Sequence, residues 1–375
     1  MNIKYKALVY PFDMEFLSTM NYSKSFTNIE IKYLLSPFGW KAFLENIIDM
    51  KVFEKEINNY LHYEISDEMK AEYDTFYLTN SFIKLDYEKY IFPKVKAAII
   101  EGKRIIINRL LSKKQFSGIQ ELADANNVQL LDYSNRIDES FFTNQYLELA
   151  QINTPVVFIA GTTEQTNKFD IQLYIRDHLS KIGYNVSSIG TRTGCELLGF
   201  HSYPKFMLDN SISEVDKILY FNKFVKEIEN EENPDIIIIG IPGSTIPLDT
   251  KHRSMNYCVS CFEISQSVKP DFVLLGLSFD KYEDKYFEDV ENLIKYKYGF
   301  DIDCYHISNI MPDQNSLNEL ELSYVITPDD DVSTLMNEYY KDKDNVFSLH
   351  NCNSKVKMVS YIIEQLSLYN DVKFL

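Results

Sequence analysis

Four consecutive isoleucines, Ile236 to Ile239, stand between Asp235 and Gly240. Successive side chains of a strand point to opposite faces, so this run must leave water on both faces at once. The interior of a parallel sheet with helices on either side meets that demand. The neighbouring sequence has the matching period. Pro155 to Ala160, Val186 to Ile189, Phe272 to Leu277, Asp303 to Ile307 and Ser323 to Ile326 read as further strands. Between the first two, Asn167 to Lys181 sets Ile171, Ile175, Leu179 and Ile182 on one helical stripe, and Gly183 follows where a helix C-cap glycine belongs. Glu214 to Glu229 reads as a helix burying Val215, Ile218, Leu219, Val225 and Ile228, and about Ser354 to Ser367 as a last helix presenting Val356, Val359, Ile363 and Leu366.

The first part of the chain alternates in the same way. Ala7 to Tyr10, Ile29 to Leu35, Thr75 to Leu78, Arg104 to Asn108 and Val128 to Tyr133 read as strands, with helices over about Tyr87 to Glu101 and Lys114 to Asn126. Strands alternating with helices of this length imply parallel pairing and doubly wound sheets. A chain of 375 residues is too long for one ordinary core. The polar, helical, then polar stretch from Ser134 to Thr154 is the expected junction. The expectation is an α/β protein of two Rossmann-like, doubly wound parallel-sheet domains, residues 1–150 and 151–375, the second P-loop-like.

Charge and composition exclude some functions. The net charge of −17 leaves no basic face to displace the counterions of a nucleic acid, so none is expected as partner. No run approaches the roughly 18 apolar residues of a membrane span, and the amino terminus has no apolar segment of signal-peptide length. Five cysteines, an odd number spread over a long chain, suit reduced thiols and a cytoplasmic location.

The segment most suggestive of chemistry follows the strand ending at Ala160. It reads Gly161-Thr162-Thr163-Glu164-Gln165-Thr166-Asn167-Lys168-Phe169, and a helix then begins. A strand, a glycine, a polar loop and a lysine at a helix start form the layout that cradles phosphate: backbone N–H groups, the helix dipole and a full positive charge converge on an anion. The phosphate of a nucleotide such as ATP or GTP is the expected ligand, with Gly161, Thr162, Thr163, Thr166, Asn167 and Lys168 as its contacts. The plain alternative is an ordinary strand-to-helix loop with a capped helix. Against the Walker pattern, Gly161 to Lys168 is one position too long, and Asn167 replaces the glycine before the lysine, a place where asparagine tolerates φ > 0. Phe169 replaces the hydroxyl that binds magnesium, and Gly240 stands where a hydrolytic enzyme carries an acid. No protein-held metal is expected.

Two more strand-end loops belong beside it, because ligands of open parallel sheets lie beyond the carboxyl ends of the strands. One contains Gly243 and Ser244. The other runs from Gly190 to Phe206 and offers Arg192 for an oxyanion, Glu196 as a base or ligand, and His201 as a proton carrier. Cys258-Val259-Ser260-Cys261 has no second pair and no histidine at zinc-finger spacing after it, and reads as buried residues of a helix from Met255 to Ser267. No G-x-S-x-G elbow is present. No catalytic residue is assigned.

Leu8-Val9-Tyr10-Pro11-Phe12, Ser36-Pro37-Phe38-Gly39-Trp40, Asn167-Lys168-Phe169, Cys195-Glu196-Leu197-Leu198-Gly199-Phe200-His201 and Ile241-Pro242-Gly243 resemble a clostridial family of peptide maturation system proteins. The resemblance extends over most of the chain. It implies an accessory role beside a radical-SAM maturase acting on a small ribosomally made precursor peptide, and no defined reaction. The second domain also distantly resembles P-loop proteins of the dethiobiotin synthetase type, from which it departs at Phe169 and Gly240. Three readings stay open: a ligand-binding accessory protein, an active P-loop ATPase or ligase, and an interaction scaffold without ligand.

Overall fold

The computed structural model describes residues 5–22, 26, 28–41, 44, 57, 59–81, 83–133, 148–247, 258–318 and 322–368. Most of the expected junction (134–147) and the first residues of the expected Met255 helix lie outside the described residues. The chain divides into two compact units. The first comprises residues 1–137 with 192–202, and the second 138–191 with 203–375.

In the first unit the strands are β1 (Tyr5–Tyr10), β2 (Ile29–Leu35), β3 (Leu61–His62), β4 (Thr75–Leu78), β5 (Arg104–Ile107) and β6 (Leu130–Asp132). All pair in parallel, in the order β3-β2-β1-β4-β5-β6. The helices are α1 (Met14–Asn21), α2 (Asp67–Glu72), α3 (Phe92–Ile100) and α4 (Lys113–Ala125). α3 is entered through a single π turn, Tyr87–Ile91, and α4 starts in a capping box in which Ser112 and Gln115 each bond the other's backbone N–H. Leu8, Phe76, Leu78, Ile105 and Ile107 pack against Val95, Ile99 and Ile119 in one core.

The second unit has β7 (Val156–Gly161), β8 (Val186–Ile189), β9 (Ile236–Gly240), β10 (Phe272–Leu277), β11 (Cys304–Ile307) and β14 (Val346–Phe347), parallel throughout in the order β14-β11-β10-β7-β9-β8. Its helices are α5 (Lys168–Lys181), α6 (Glu214–Glu232), α7 (Val259–Ser267), α8 (Asp284–Tyr298), α9 (Asp329–Tyr339) and α10 (Cys352–Leu368). Ile237, Ile238 and Ile239 have no exposed surface. At about 1.5–3 kcal/mol for each large aliphatic side chain buried, such a strand is worth forming only where both faces are covered. The two parallel six-stranded sheets flanked by helices give the α/β, Rossmann-like doubly wound architecture expected from the alternation.

Three local expectations need correction. The stretch Ser323 to Ile326 does not join the main sheet: β13 (Tyr324–Ile326) pairs antiparallel with β12 (Ile310–Pro312) in a separate hairpin. Val215 and Val356 are exposed, at 66% and 48%. In α6 the buried positions are Lys217, Phe221, Asn222, Val225, Ile228 and Glu229, so the inner face is turned away from Val215 toward polar residues that find partners inside. Ile182 is also exposed, because α5 has ended and Gly183 turns the chain at φ +104°.

Candidate functional site

β7 lies between β9 and β10, so the loop leaving its carboxyl end is flanked by two other strand-end loops. Only glycine fits at Gly161: a Cβ there would lie 2.1 Å from Thr166 Oγ1 and 3.0 Å from Lys168 Nζ. The loop closes back on the end of its own strand. Asn167 then takes φ +56° and ψ +20°, the left-handed conformation expected at this position, and α5 starts at Lys168. The Asn167 side chain does not cap the helix. Its Oδ1 accepts instead from the Ser308 hydroxyl, beyond β11.

The loop's hydrogen bonding is uneven. Thr162 N–H donates to the Gly276 carbonyl of β10 at 2.9 Å. For the N–H groups of Thr163, Glu164, Gln165, Thr166 and Asn167 there is no acceptor among the described residues. Thr166 is buried and the other four residues are half-buried, and five open N–H groups in succession ahead of a helix N-terminus concentrate partial positive charge at one spot. Lys168 is only 5% exposed, and its Nζ donates to the carbonyls of Thr163 at 2.9 Å and Glu164 at 2.7 Å. The ammonium is thus stored against the loop that carries the open amides.

Contacts from every neighbouring strand end hold the loop in shape. Thr163 Oγ1 lies 3.2 Å from Ser278 Oγ after β10, and Thr166 Oγ1 lies 3.5 Å from the Thr163 carbonyl that it bonds. From the loop after β9, Thr245 donates its N–H and hydroxyl to the Gly161 carbonyl, at 2.8 and 3.1 Å. Tyr298 of α8 fixes Thr245 in turn by donating to its carbonyl at 2.6 Å. Gly243, at φ +74°, makes the turn that brings Thr245 there. Ser244 is buried, with its hydroxyl 3.5 Å from Cys258 Sγ.

The positions that would serve magnesium are built differently. Phe169 is 4% exposed and offers no oxygen. A Cβ on Gly240 would come within 2.9 Å of both Gln172 Oε1 and Thr191 Cγ2, so no acid side chain fits there as the site stands. Gln172 fills the place, donating Nε2 to the Ile189 carbonyl at 2.7 Å and the Ile238 carbonyl at 3.3 Å. Among the described residues no group of three or more His, Cys, Asp or Glu side chains is arranged to hold a metal ion. Cys258 and Cys261 are buried, and burial pushes the Cys261 thiol well above its ordinary pKa.

Arg192, Glu196 and His201 were expected beside Lys168. The segment Arg192–Ser202, which holds all three, groups with the first unit. The Arg192 guanidinium donates to the Glu15 carbonyl, and the Glu196 carboxylate accepts from Ser202 N–H at 3.1 Å and Ser202 Oγ at 2.7 Å. Of the loop after β8, Thr191 is the residue placed against Gly240. Sequence reasoning missed Thr245, Ser278, Ser308, Gln172 and Gly276. Gly276 alone carried a signal: a glycine inside the apolar run Phe272 to Leu277 marks a close backbone approach, and a Cβ there would meet the Thr166 carbonyl at 2.9 Å.

No helix among the described residues is long and apolar enough to cross a membrane. No family model matches the chain, and no curated protein matches it. Among solved structures, a DUF1611 family protein from Anabaena variabilis ATCC 29413 superposes with a TM-score of 0.60 at 10% identity, over 96% of this chain and 100% of that one. Chloroplast FtsY from Physcomitrella patens matches at a TM-score of 0.23 and 13% identity, over 60% of this chain and 74% of that one. The first likeness extends the observed α/β architecture to a second protein over nearly the full length of both chains.

Proposed function

We propose that this chain is an accessory protein of ribosomal peptide maturation that binds a nucleotide or another phosphate-bearing ligand through the loop Gly161 to Lys168. The observation that carries the binding half is the run of five backbone N–H groups, Thr163 to Asn167, without acceptors among the described residues and next to a buried lysine. A phosphate group supplies the acceptors these amides lack, and it draws Lys168 Nζ from the Thr163 and Glu164 carbonyls onto a full negative charge. The maturation half rests on the sequence resemblance, and its partners are a radical-SAM maturase and a short precursor peptide.

Binding is favoured over hydrolysis because neither Phe169 nor Gly240 has a side-chain oxygen to offer a metal ion on the phosphate. The test is thermal unfolding of the full chain with ATP, GTP and their diphosphates. A ligand at a hundred times its Kd stabilises by about 2.7 kcal/mol, roughly 5–10 °C for a unit of this size. Lys168→Ala should abolish the shift and leave the unliganded Tm within a few degrees. Absence of any shift in the unaltered protein points to a scaffold without ligand, and nucleotide turnover to the ATPase or ligase reading.

A further inference from the structure

The strand order of the first unit, β3-β2-β1-β4-β5-β6, reverses between β1 and β4. In open parallel sheets of this order, ligands lie in the crevice beyond the carboxyl ends of those two strands. The chain bordering it here is Pro11 to Asp13 after β1, Thr79 to Ser81 after β4, and Asn108 with Arg109 after β5.

Arg109 is the unusual member. Its Nη1 donates to the Thr79 carbonyl and the Ser81 hydroxyl, both at 3.1 Å. Its Nε and Nη2 make no hydrogen bond among the described residues, and no carboxylate lies within the 4.0 Å of an ion pair. Asp13 and Glu15 are its acidic neighbours, yet the fully buried Asp13 carboxylate already accepts from Glu15 N–H at 2.9 Å and Ile83 N–H at 3.3 Å. Burial accordingly pulls the guanidinium pKa below its ordinary value in spite of Glu15, Asp13 and Tyr10. A half-buried cation without an ion-pair partner is costly to keep.

Asn108, the preceding residue, donates Nδ2 to the Tyr77 hydroxyl at 3.0 Å, while its Oδ1 is buried without a donor. The segment after Thr191 is anchored at the same corner. Arg192 bonds the Glu15 carbonyl, and Thr193 Oγ1 donates to the Asn108 carbonyl at 3.1 Å. Gly194, at φ +77°, sits so close that a Cβ would lie 2.3 Å from Asn108 Nδ2.

We propose that the first unit carries an oxyanion site of its own at the carboxyl edge of β1 and β4, anchored by Arg109 and walled on one side by Arg192 to Gly194. The Nε–Nη2 edge is the one that grips a carboxylate or phosphate with two parallel bonds. Either group satisfies it. The site is independent of Lys168 and of the function proposed above.

The experiment uses the full-length Lys168→Ala protein, in which the phosphate loop has lost its lysine. Inorganic phosphate and succinate are titrated separately, by calorimetry and by thermal shift. Saturable binding of one of them identifies the group recognised. Arg109→Gln on this background should weaken that binding at least about tenfold, a loss of roughly 1.4 kcal/mol. Arg109→Lys, which keeps the charge and loses the fork, should fall between. If Arg109→Gln does not fold, the Lys variant decides. Binding as tight as with arginine, or no saturable binding of either anion, overturns the site. The phosphate-loop proposal is judged separately, by the nucleotide shift of the protein with Lys168 intact.

Discussion

Asn167 shows how one residue can carry two separable demands. The turn into α5 needs φ near +56°, and the loop's position needs the Ser308 hydroxyl to find an acceptor. Glycine answers the first demand and no other residue answers both as well. The left-handed conformation costs a residue with a Cβ about 1–2 kcal/mol, less for asparagine, whose short polar side chain can bond locally. Asn167→Ala should therefore lose both the tolerance and the Ser308 bond, about 1.5–3 kcal/mol together. Asn167→Gly should lose only the bond, about 1 kcal/mol. Urea midpoints ranking asparagine above glycine above alanine support this. An alanine variant more stable than the glycine one shows that the turn is not strained. The tolerance of asparagine for this backbone was legible in the sequence, because it is a property of the residue itself. The bond to Ser308 was not, because its partner is 141 positions away.

At the scale of elements, α6 explains where helical periodicity misleads. Its apolar residues suggested a face through Val215, but Lys217, Asn222 and Glu229 are the ones buried with Phe221 and Val225. Each has an internal partner. Asn222 bridges Ala150 and Ser267, and Glu229 accepts the N–H groups of Asn153 and Thr154. Lys217 Nζ lies 3.7 Å from Glu263 Oε1 on α7, with the two side chains 6% and 2% exposed. A pattern that counts charged residues as solvated cannot anticipate a face made of pairs. Burial pushes the Glu263 carboxyl above its ordinary pKa and the Lys217 charge works against that, so the ion pair depends on both members. Lys217→Met alone should destabilise by about 3 kcal/mol, because it strands a buried carboxyl. Lys217→Met with Glu263→Met should recover most of that loss, because two packed apolar chains replace a pair whose desolvation nearly cancels its attraction. Chemical denaturation of the two singles and the double measures the coupling. A double variant as unstable as the sum of the singles means that the residues act separately.

Across the whole molecule, strands were easier to read than their pairing. Ile236 to Ile239 and Val156 to Ala160 announce buried parallel strands by composition alone, since no other setting covers both faces. The order β14-β11-β10-β7-β9-β8 comes from contacts between distant segments, as do the bonds shaping the loop Gly161 to Lys168: Thr245 is 84 positions from Gly161, and Ser278 is 115 from Thr163. Nor did anything in the sequence around Arg192 reveal that it packs with the first unit, because a segment leaving β8 looks the same whichever sheet it joins.

The sheet order also settles which strand end a metal would need. β9 is a neighbour of β7, so a magnesium ion on a phosphate held by Gly161 to Lys168 would look for its acid at Gly240, where a Cβ would lie 2.9 Å from both Gln172 Oε1 and Thr191 Cγ2. Of the loop hydroxyls, Thr166 Oγ1 is turned to the Thr163 carbonyl in a residue without exposed surface, Thr162 Oγ1 donates to the Gly276 carbonyl, and Thr163 Oγ1 pairs with Ser278 Oγ. On the binding reading, the charge of a phosphate at this loop would be met by Lys168 and the backbone amides. Its affinity should then be nearly indifferent to magnesium. Calorimetric titration of ATP in excess magnesium and again in EDTA should give Kd values within about threefold, a difference under roughly 0.7 kcal/mol. Loss of binding in EDTA would place a protein-held metal at the loop and overturn the view that phosphate is gripped there without one.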